Sequence, residues 1–172
     1  SLKLFKEDIE ITSALAVPLK PPIELLEPIK KITHCEATAL YVLDDHTGDF
    51  AYSDFSGRNE IKEDSLKTSA IVNKWIQSDA KPFWIDNVSK HPDLPHVNIN
   101  NLHCLLAIPL IVKKQTIGIF YLYNKLASKI SPSAEFTSDE LRLISSFTHQ
   151  IAVAIENHRL HVDINDIFLD YI

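Results

Sequence analysis

Two apolar runs separated by a short polar turn constrain the fold of this chain more than any other feature. They lie between Cys104 and Lys125, in the segment CLLAIPLIVKKQTIGIFYLYNK. Each run has the length of a β-strand, and neither alternates apolar with polar residues as a strand with one face in water would. The sequence therefore predicts an antiparallel hairpin that is covered on both faces, and the second of its strands carries tyrosine hydroxyls.

A second hairpin and a helix are predicted upstream of this one. The run ATALYVL, an acidic turn that holds Gly48, and an alternating run to Phe55 indicate a β-hairpin. A helix is predicted to begin after Asp64 or Ser65, and a short strand with the sequence FWIDN follows it after Pro82.

Further helices and a polar loop are predicted elsewhere. Residues 1–15 place apolar residues at helical spacing before a proline-rich stretch, and a second helix is predicted over residues 23–32. Residues 88–103 have the sequence VSKHPDLPHVNINNLH, which is polar and has little periodicity. Since loops between buried elements are frequent carriers of binding groups, we expect this polar loop to border a site.

The C-terminal segment predicts a long helix. It starts with a capping signature, Thr137 followed three residues later by Glu140. Its apolar residues recur in a heptad, and a helix of about 50 Å with such a stripe is typical of a helix that pairs with its copy in a second subunit. For the first half of the helix, packing on the chain's own sheet explains the stripe equally well. The residues predicted to form the dimer helix are Leu141, Ile144, Ile151, Ile155 and Val162.

Composition and charge argue against some classes of partner. The formal net charge is −6, from 17 basic and 23 acidic side chains that form no long run of like charge. This balance disfavours nucleic acid or an anionic membrane as a partner. No window approaches the roughly 20 apolar residues that span a bilayer. Cys35 and Cys104 form no close-spaced disulfide or zinc pattern, which indicates a cytoplasmic location.

Catalytic chemistry finds no support in the sequence. The three glycines form no phosphate-binding loop, no serine lies between glycines, and the carboxylates are spread over predicted turns and helix starts. His91, His96 and His103 have spacings that match no known pair of metal ligands. We therefore expect neither an enzyme nor a metal site in this fragment, and the sequence identifies no cofactor.

The order of elements and several motifs resemble a GAF domain of the bacterial sensory type, from about Ile23 to Leu160. The motifs are Pro109 and Gly118 in the central hairpin, FTSDELRLI at the start of the last helix and AIEN further along it. The resemblance implies an α+β fold: a central antiparallel β-sheet with the N- and C-terminal helices on one face and a ligand pocket, under a helix and loop, on the other. It divides the chain into an N-terminal helix and linker (1–20), the GAF domain (21–160), and the start of a helical linker to an output domain (161–172).

The resemblance also implies where a ligand would bind. Cyclic-nucleotide-binding relatives carry an Asn-Lys pair, then Phe, then Asp-Glu; here the spacing from Phe136 to the acidic pair is one residue short. Asn124 and Lys125, like Asp139 and Glu140, also have a structural interpretation as a strand end and a first helical turn. Bilin-binding relatives use a loop cysteine, which this polar loop lacks. The predicted pocket residues are Tyr41, Phe55, Ser56, Trp84, Asn98, Asn101, His103, Tyr121 and Tyr123.

Together these features predict a small-molecule-sensing regulatory domain of a bacterial signal-transduction protein. We expect a homodimer that relays the state of its pocket through the C-terminal helix to an output domain. The apolar pattern that continues to Ile172 resembles the linker to an HD or HD-GYP phosphohydrolase, and a histidine kinase is the other expected output. The alternative is a structural dimerisation module with a collapsed pocket. The sequence does not identify the ligand.

Overall fold

The computed structural model describes residue 24 and residues 26–95, 98–127 and 134–170, with side chains as far as residue 160. The helix predicted over residues 1–15 lies outside the described residues. In chain order, the elements are α1 (Leu26–Ile32), β1 (Cys35–Leu43), β2 (Phe50–Ser56), α2 (Asn59–Asp79), β3 (Phe83–Ile85), a 3₁₀ helix (Val88–Lys90), β4 (Leu105–Val112), β5 (Gln115–Lys125) and α3 (Ser138–Asp170).

The five strands form one antiparallel sheet in the order β2-β1-β5-β4-β3. The β4–β5 hairpin turns at Lys113 and Lys114, which both have positive φ as in the type I′ turns of two-residue hairpins. Its register pairs Leu105 with Tyr123. Both hairpins that the sequence predicts are therefore confirmed.

Both faces of the sheet are covered, which explains the unbroken apolar runs of β4 and β5. Successive side chains of a strand point to opposite faces, so these strands contribute to two cores. The core on the α2 side includes Ala39, Tyr41, Ile61, Val72, Ile76, Leu105, Ala107, Ile119, Tyr121 and Tyr123. The core under α1 and α3 includes Leu26, Ile29, Leu40, Leu106, Leu110, Phe120, Leu122, Ile144, Ile151 and Ile155. This is the α+β arrangement that the sequence predicts.

Helix α2 begins at Asn59, several residues before the predicted start. The prediction took Asp64 or Ser65 for a helix cap, because such residues are preferred there. In the structure both side chains are buried within the helix. Asp64 Oδ2 instead accepts a hydrogen bond from the backbone amide of Asn101 at 2.7 Å. The predicted start of the helix is therefore wrong, because the side chain taken for a helix cap makes a tertiary contact.

Helix α3 starts with the predicted capping box. The amide of Glu140 donates to Thr137 Oγ1 at 3.1 Å, and the amide of Thr137 donates to Glu140 Oε1 at 3.0 Å. The helix has 33 residues, which corresponds to about 50 Å. Among the described residues, no helix combines the length and apolar character needed to cross a bilayer.

The first half of the predicted dimer stripe packs on the chain's own sheet. Ile144, Ile151 and Ile155 are only 2%, 3% and 1% exposed. Helix α3 approaches the sheet closely at Gly118 of β5. A Cβ added there would lie 3.7 Å from Ile155 Cδ1 of the helix and 2.7 Å from the Tyr41 carbonyl oxygen of β1. Of the other two stripe residues, Leu141 is 48% exposed, and the side chain of Val162 lies outside the described residues. Ile144, Ile151 and Ile155 are therefore engaged by the chain's own sheet, whereas Leu141 stays accessible to a dimer partner.

Candidate functional site

A layer of three tyrosines lies on the face of the sheet that α2 covers. Tyr41 comes from β1, and Tyr121 and Tyr123 come from β5, which pairs with β1. The Tyr121 and Tyr123 rings stack with centroids 5.4 Å apart, and the Tyr41 and Tyr121 rings meet edge to face at the same distance. None of the three is more than 3% exposed. We refer to these three residues as the tyrosine layer.

Two of the three phenol groups lack a hydrogen-bond partner among the described residues. The Tyr121 hydroxyl donates to Asn73 Oδ1 on α2. The hydroxyls of Tyr41 and Tyr123 are buried, and neither forms a hydrogen bond with any residue that the structure describes. A buried polar group without a partner costs about 1–3 kcal/mol. Such groups in a native core call for an explanation, and an absent water or ligand is a common one.

Burial keeps these phenols neutral. It raises the pKa of Tyr41, and raises the pKa values of Tyr121 and Tyr123 well above the ordinary value for tyrosine. The nearby hydroxyls of Ser69 and Ser65 act to lower the pKa values of Tyr41 and Tyr123, but burial outweighs them, and neither serine forms a hydrogen bond of normal geometry with these phenols. The phenols are therefore hydrogen-bond donors across the physiological pH range.

Helix α2 presents small hydroxyl side chains to the tyrosine layer. Ser65, Thr68 and Ser69 are buried, and each hydroxyl donates to the backbone carbonyl three residues earlier, at 2.7, 3.0 and 3.2 Å. Their hydrogens are thus engaged within the helix, while their oxygens can still accept. The sequence analysis missed these residues, although Ser65, Thr68, Ser69, Val72 and Ile76 share one helical stripe. The space between α2 and the sheet therefore has a polar centre within an apolar core.

Two side chains of α2 fasten the polar loop over this space. Asp64 holds the amide of Asn101, as described above, and Lys67 Nζ donates to the carbonyl oxygen of Asn98 at 2.7 Å. Lys67 also pairs with Asp64 at 3.4 Å. Asn98 itself has φ 61°, a left-handed conformation that asparagine tolerates better than most residues. These polar contacts act together with the burial of Leu94, Ile99 and Leu102 of the loop in the core on the α2 side.

Asn124 fastens the same loop to the end of β5. Its Oδ1 accepts from the His103 amide at 2.7 Å, and its Nδ2 donates to the Asn101 carbonyl oxygen at 2.7 Å. Asn124 has φ 56°, which interrupts the alternation of side chains at the end of β5, so that Lys125 faces α3 rather than the tyrosine layer. Lys125 Nζ lies 3.1 Å from Glu140 Oε2. The Asn-Lys and acidic pairs therefore have the structural roles that were the alternative to nucleotide binding.

The structure brings together only part of the predicted pocket. Phe55 joins the tyrosine layer, with its ring 6.3 Å from that of Tyr123. Asn98, Asn101 and His103 lie in the polar loop, where backbone groups make the contacts just described and the His103 side chain is exposed.

Ser56 and Trp84 lie on the opposite face of the sheet. Ser56 pairs with Thr38, and its hydroxyl donates to Glu27 of α1. Trp84 contacts the Phe136 ring at 5.4 Å, beside α3. Trp84 also lines a surface cleft of about 310 Å³ there. Ser56 cannot share a face with Phe55, because adjacent side chains of a strand point to opposite faces of the sheet.

Neither cysteine is placed for reactivity. Both are free and buried, and burial raises the pKa of the Cys35 thiol to about 12 and also raises the pKa of Cys104. In the parts of the chain that the structure describes, no group of three or more His, Cys, Asp or Glu residues is arranged to hold a metal ion.

The chain matches the model of a known family. Residues 24–155 match the model of the GAF domain, and the chain belongs to this family. No curated protein sequence matches the chain.

Solved structures with the same fold come from several bacteria. A GAF domain/HD domain protein from Geobacter sulfurreducens is 18% identical, with a TM-score of 0.61 over 80% of this chain and 90% of that one. A domain of a putative two-component sensor histidine kinase from Sinorhizobium meliloti 1021 is 16% identical, with a TM-score of 0.58 over 83% and 92%. The GAF domain of an Acinetobacter phosphoenolpyruvate-protein phosphotransferase is 13% identical, with a TM-score of 0.62 over 93% and 96%.

Proposed function

We propose that this GAF domain is a small-molecule sensor whose ligand binds between the sheet and α2. The observation that carries the proposal is the pair of buried, unpaired hydroxyls on Tyr41 and Tyr123. A ligand that accepts hydrogen bonds would supply the partners that both donors lack, and would remove a cost of about 1–3 kcal/mol for each. The faces of the Phe55 and Tyr123 rings favour a ligand with a flat apolar part.

Ligand entry requires α2 and the polar loop to move away from the sheet, because the tyrosine layer is almost fully buried. The contacts that would have to break include the polar ones of Asp64 and Lys67 to the loop, which are individually weak. They also include the apolar packing of Leu94, Ile99 and Leu102 of the loop in the same core as the tyrosine layer. Under this proposal the buried tyrosine layer belongs to a closed state of the sensor, and a ligand would select a more open one.

The output of the sensor is proposed to leave through α3 in a homodimer. Gly118 of β5 lies against Ile155 of α3. A shift of the sheet would therefore displace the helix through this contact. The outward side of α3 carries Leu143, Val153 and Leu160, which are exposed although apolar. Val153 and Leu160 are one heptad apart, as in a helix that pairs with its copy. An HD-type phosphohydrolase or a histidine kinase is the proposed output domain.

A structural dimerisation module is the second candidate. It is favoured by the tight filling of the space between the sheet and α2, where Ile61, Val72 and Ile76 pack against the tyrosine layer. In that case the unpaired hydroxyls are a tolerated cost and no ligand is needed.

A thermal-shift screen separates the two candidates. The probes are nucleotides, small carboxylates, amino acids and haem, tested on the native chain and on Tyr41→Phe, Tyr123→Phe and the control Tyr52→Phe, whose side chain is exposed. A sensor is stabilised by about 2.7 kcal/mol when a ligand is present at about 100 times its Kd. The two buried-tyrosine variants should weaken that response and the control should not. No response to any probe supports the structural module, and equal responses in all variants place the binding site outside the tyrosine layer.

A further inference from the structure

A second concave site lies between the β1–β2 turn and the C-terminal half of α2. We call it the hairpin cleft, and its volume is about 240 Å³. It is separate from the predicted pocket, with which it shares no residue. Its lining residues are Asp49, Phe50, Ala70, Asn73, Lys74 and Gln77.

The turn that forms one wall of the cleft is well braced. The Asp44 amide donates to the Asp49 carbonyl oxygen at 2.9 Å, and the Gly48 amide donates to the Asp44 carbonyl oxygen at 2.8 Å. Gln77 Nε2 of α2 donates to the Gly48 carbonyl oxygen at 3.2 Å, which closes one end of the cleft. A wall held in this way is preformed, and binding to it carries little ordering cost.

The cleft holds one negative and one positive side chain, and neither is paired with another described residue. The turn contributes the carboxylate of Asp49, and α2 contributes the ammonium of Lys74. Within the described part of the chain, neither side chain forms an ion pair or a hydrogen bond, and they do not pair with each other. The Asn73 amide nitrogen is also unengaged there, since only its Oδ1 is used, by Tyr121. The Phe50 ring adds an apolar surface.

We propose that the hairpin cleft binds a small zwitterion of amino-acid size. The Asp49 carboxylate would accept hydrogen bonds from the ligand's ammonium group. Lys74 would pair with the ligand's carboxylate, and the Asn73 amide nitrogen would donate a further hydrogen bond to that carboxylate. The volume lies below the roughly 300–1,000 Å³ of sites for larger ligands, which favours a ligand smaller than a nucleotide. This site does not depend on the function proposed for the tyrosine layer.

The cleft is connected to α3. Asp45, in the same turn, pairs with Arg159 of α3, which also lies 3.8 Å from Glu156. An occupant that draws Asp49 towards Lys74 acts on the turn that carries Asp45, so the cleft and the helix share one element. Occupancy is therefore expected to alter the environment of Arg159.

Nuclear magnetic resonance of the ¹⁵N-labelled chain tests the proposal. The chain has three glycines, so the amide signal of Gly48 is easily identified, with Gly57 and Gly118 as internal references. The probes are the proteinogenic amino acids and glycine betaine, each titrated to about 20 mM, which detects dissociation constants in the millimolar range. At least one probe should give saturable shifts of Gly48 and of the Asn73 and Gln77 side-chain amides.

Matched probes and variants decide between specific binding and weak association. For the amino acid that binds, its N-acetyl derivative and its amide each lack one charge, and each should bind at least about tenfold more weakly. Lys74→Ala and Asp49→Asn should have the same effect, whereas Lys81→Ala, which changes a lysine outside the cleft, should not. The proposal is overturned if no probe gives saturable shifts at Gly48, or if the shifts persist unchanged in both cleft variants. Shifts confined to the tyrosine layer would likewise contradict this site while supporting the first one.

Discussion

Lys125 and Glu140 form a buried ion pair that joins the end of β5 to the first turn of α3, with 3.1 Å between Nζ and Oε2. The Lys125 side chain is fully buried, and the Phe136 ring lies 5.7 Å from its ammonium group. The pair thus connects the central strand of the sheet to the helix that leaves the domain. Removal of either charge leaves the other without its partner in a poorly solvated place.

Lys125→Met should destabilise the domain by up to about 3 kcal/mol, the lower end of the range for a broken buried pair, because Glu140 keeps some contact with water. The double variant Lys125→Met with Glu140→Gln should recover part of that loss, since it leaves no lone charge. Urea unfolding of the native chain, the two single variants and the double variant measures both effects. Losses of stability that simply add in the double variant would show that the pair is not coupled.

The contribution of the Lys125–Glu140 pair to the stability of the domain should depend on pH. Burial by itself would raise the pKa of Glu140, but the Thr137 amide and the Lys125 ammonium outweigh it, so the pKa lies below its ordinary value of 4.5. A lowered pKa means that the contribution to stability is fully present above about pH 4.5 and is lost as the pH falls through the lowered pKa. In Glu140→Gln this part of the pH dependence should be absent. If Glu140→Gln loses stability at low pH in the same way as the native chain, Glu140 is not the source of this pH dependence.

Gly118→Ala should destabilise the domain by about 1–3 kcal/mol, the usual cost of overpacking. The added Cβ would meet the Tyr41 carbonyl oxygen at 2.7 Å and Leu110 Cδ1 at 3.1 Å, and backbone cannot give way cheaply. Gln115→Ala, at an exposed position of the same strand, is the control and should change stability by less than about 0.5 kcal/mol. Equal unfolding midpoints for the two variants would contradict the close approach of sheet and helix.

Dimer formation should depend on the outward side of α3. Val153→Glu with Leu160→Glu should shift the protein towards monomer in light scattering while the fold remains stable, because both side chains are exposed. Ile155→Glu should instead unfold the domain, since it places a charge in the core under α3. A native chain that is already monomeric at tens of micromolar would count against the dimer relay.

Much of the architecture could be predicted from the sequence because its signals are local. The unbroken runs of β4 and β5 required cover on both faces, and Thr137 with Glu140 marked the start of α3. The faces of Ser56 and Trp84 could not be predicted, since neither FWI nor FAYSDFS fixes which residues point to which side. These depend on register with β4 and β1, which are non-local pairings.

The polar centre of the site was hidden for a related reason. Ser65, Thr68 and Ser69 are ordinary helix-surface residues by composition, and only the packed structure places them opposite the tyrosine layer. The positive φ of Asn124 likewise places Lys125 on the α3 side of the sheet, a position that strand alternation alone does not predict.

The central claim is that a small molecule binds to the hydroxyls of Tyr41 and Tyr123. The most direct test is a crystal structure of the chain grown with the compound that gives the largest thermal shift. The account predicts density for that compound between the sheet and α2, with polar atoms within hydrogen-bond distance, about 2.5–3.2 Å, of both phenol oxygens. Density elsewhere, with both hydroxyls still facing only Ser65 and Ser69, would contradict it.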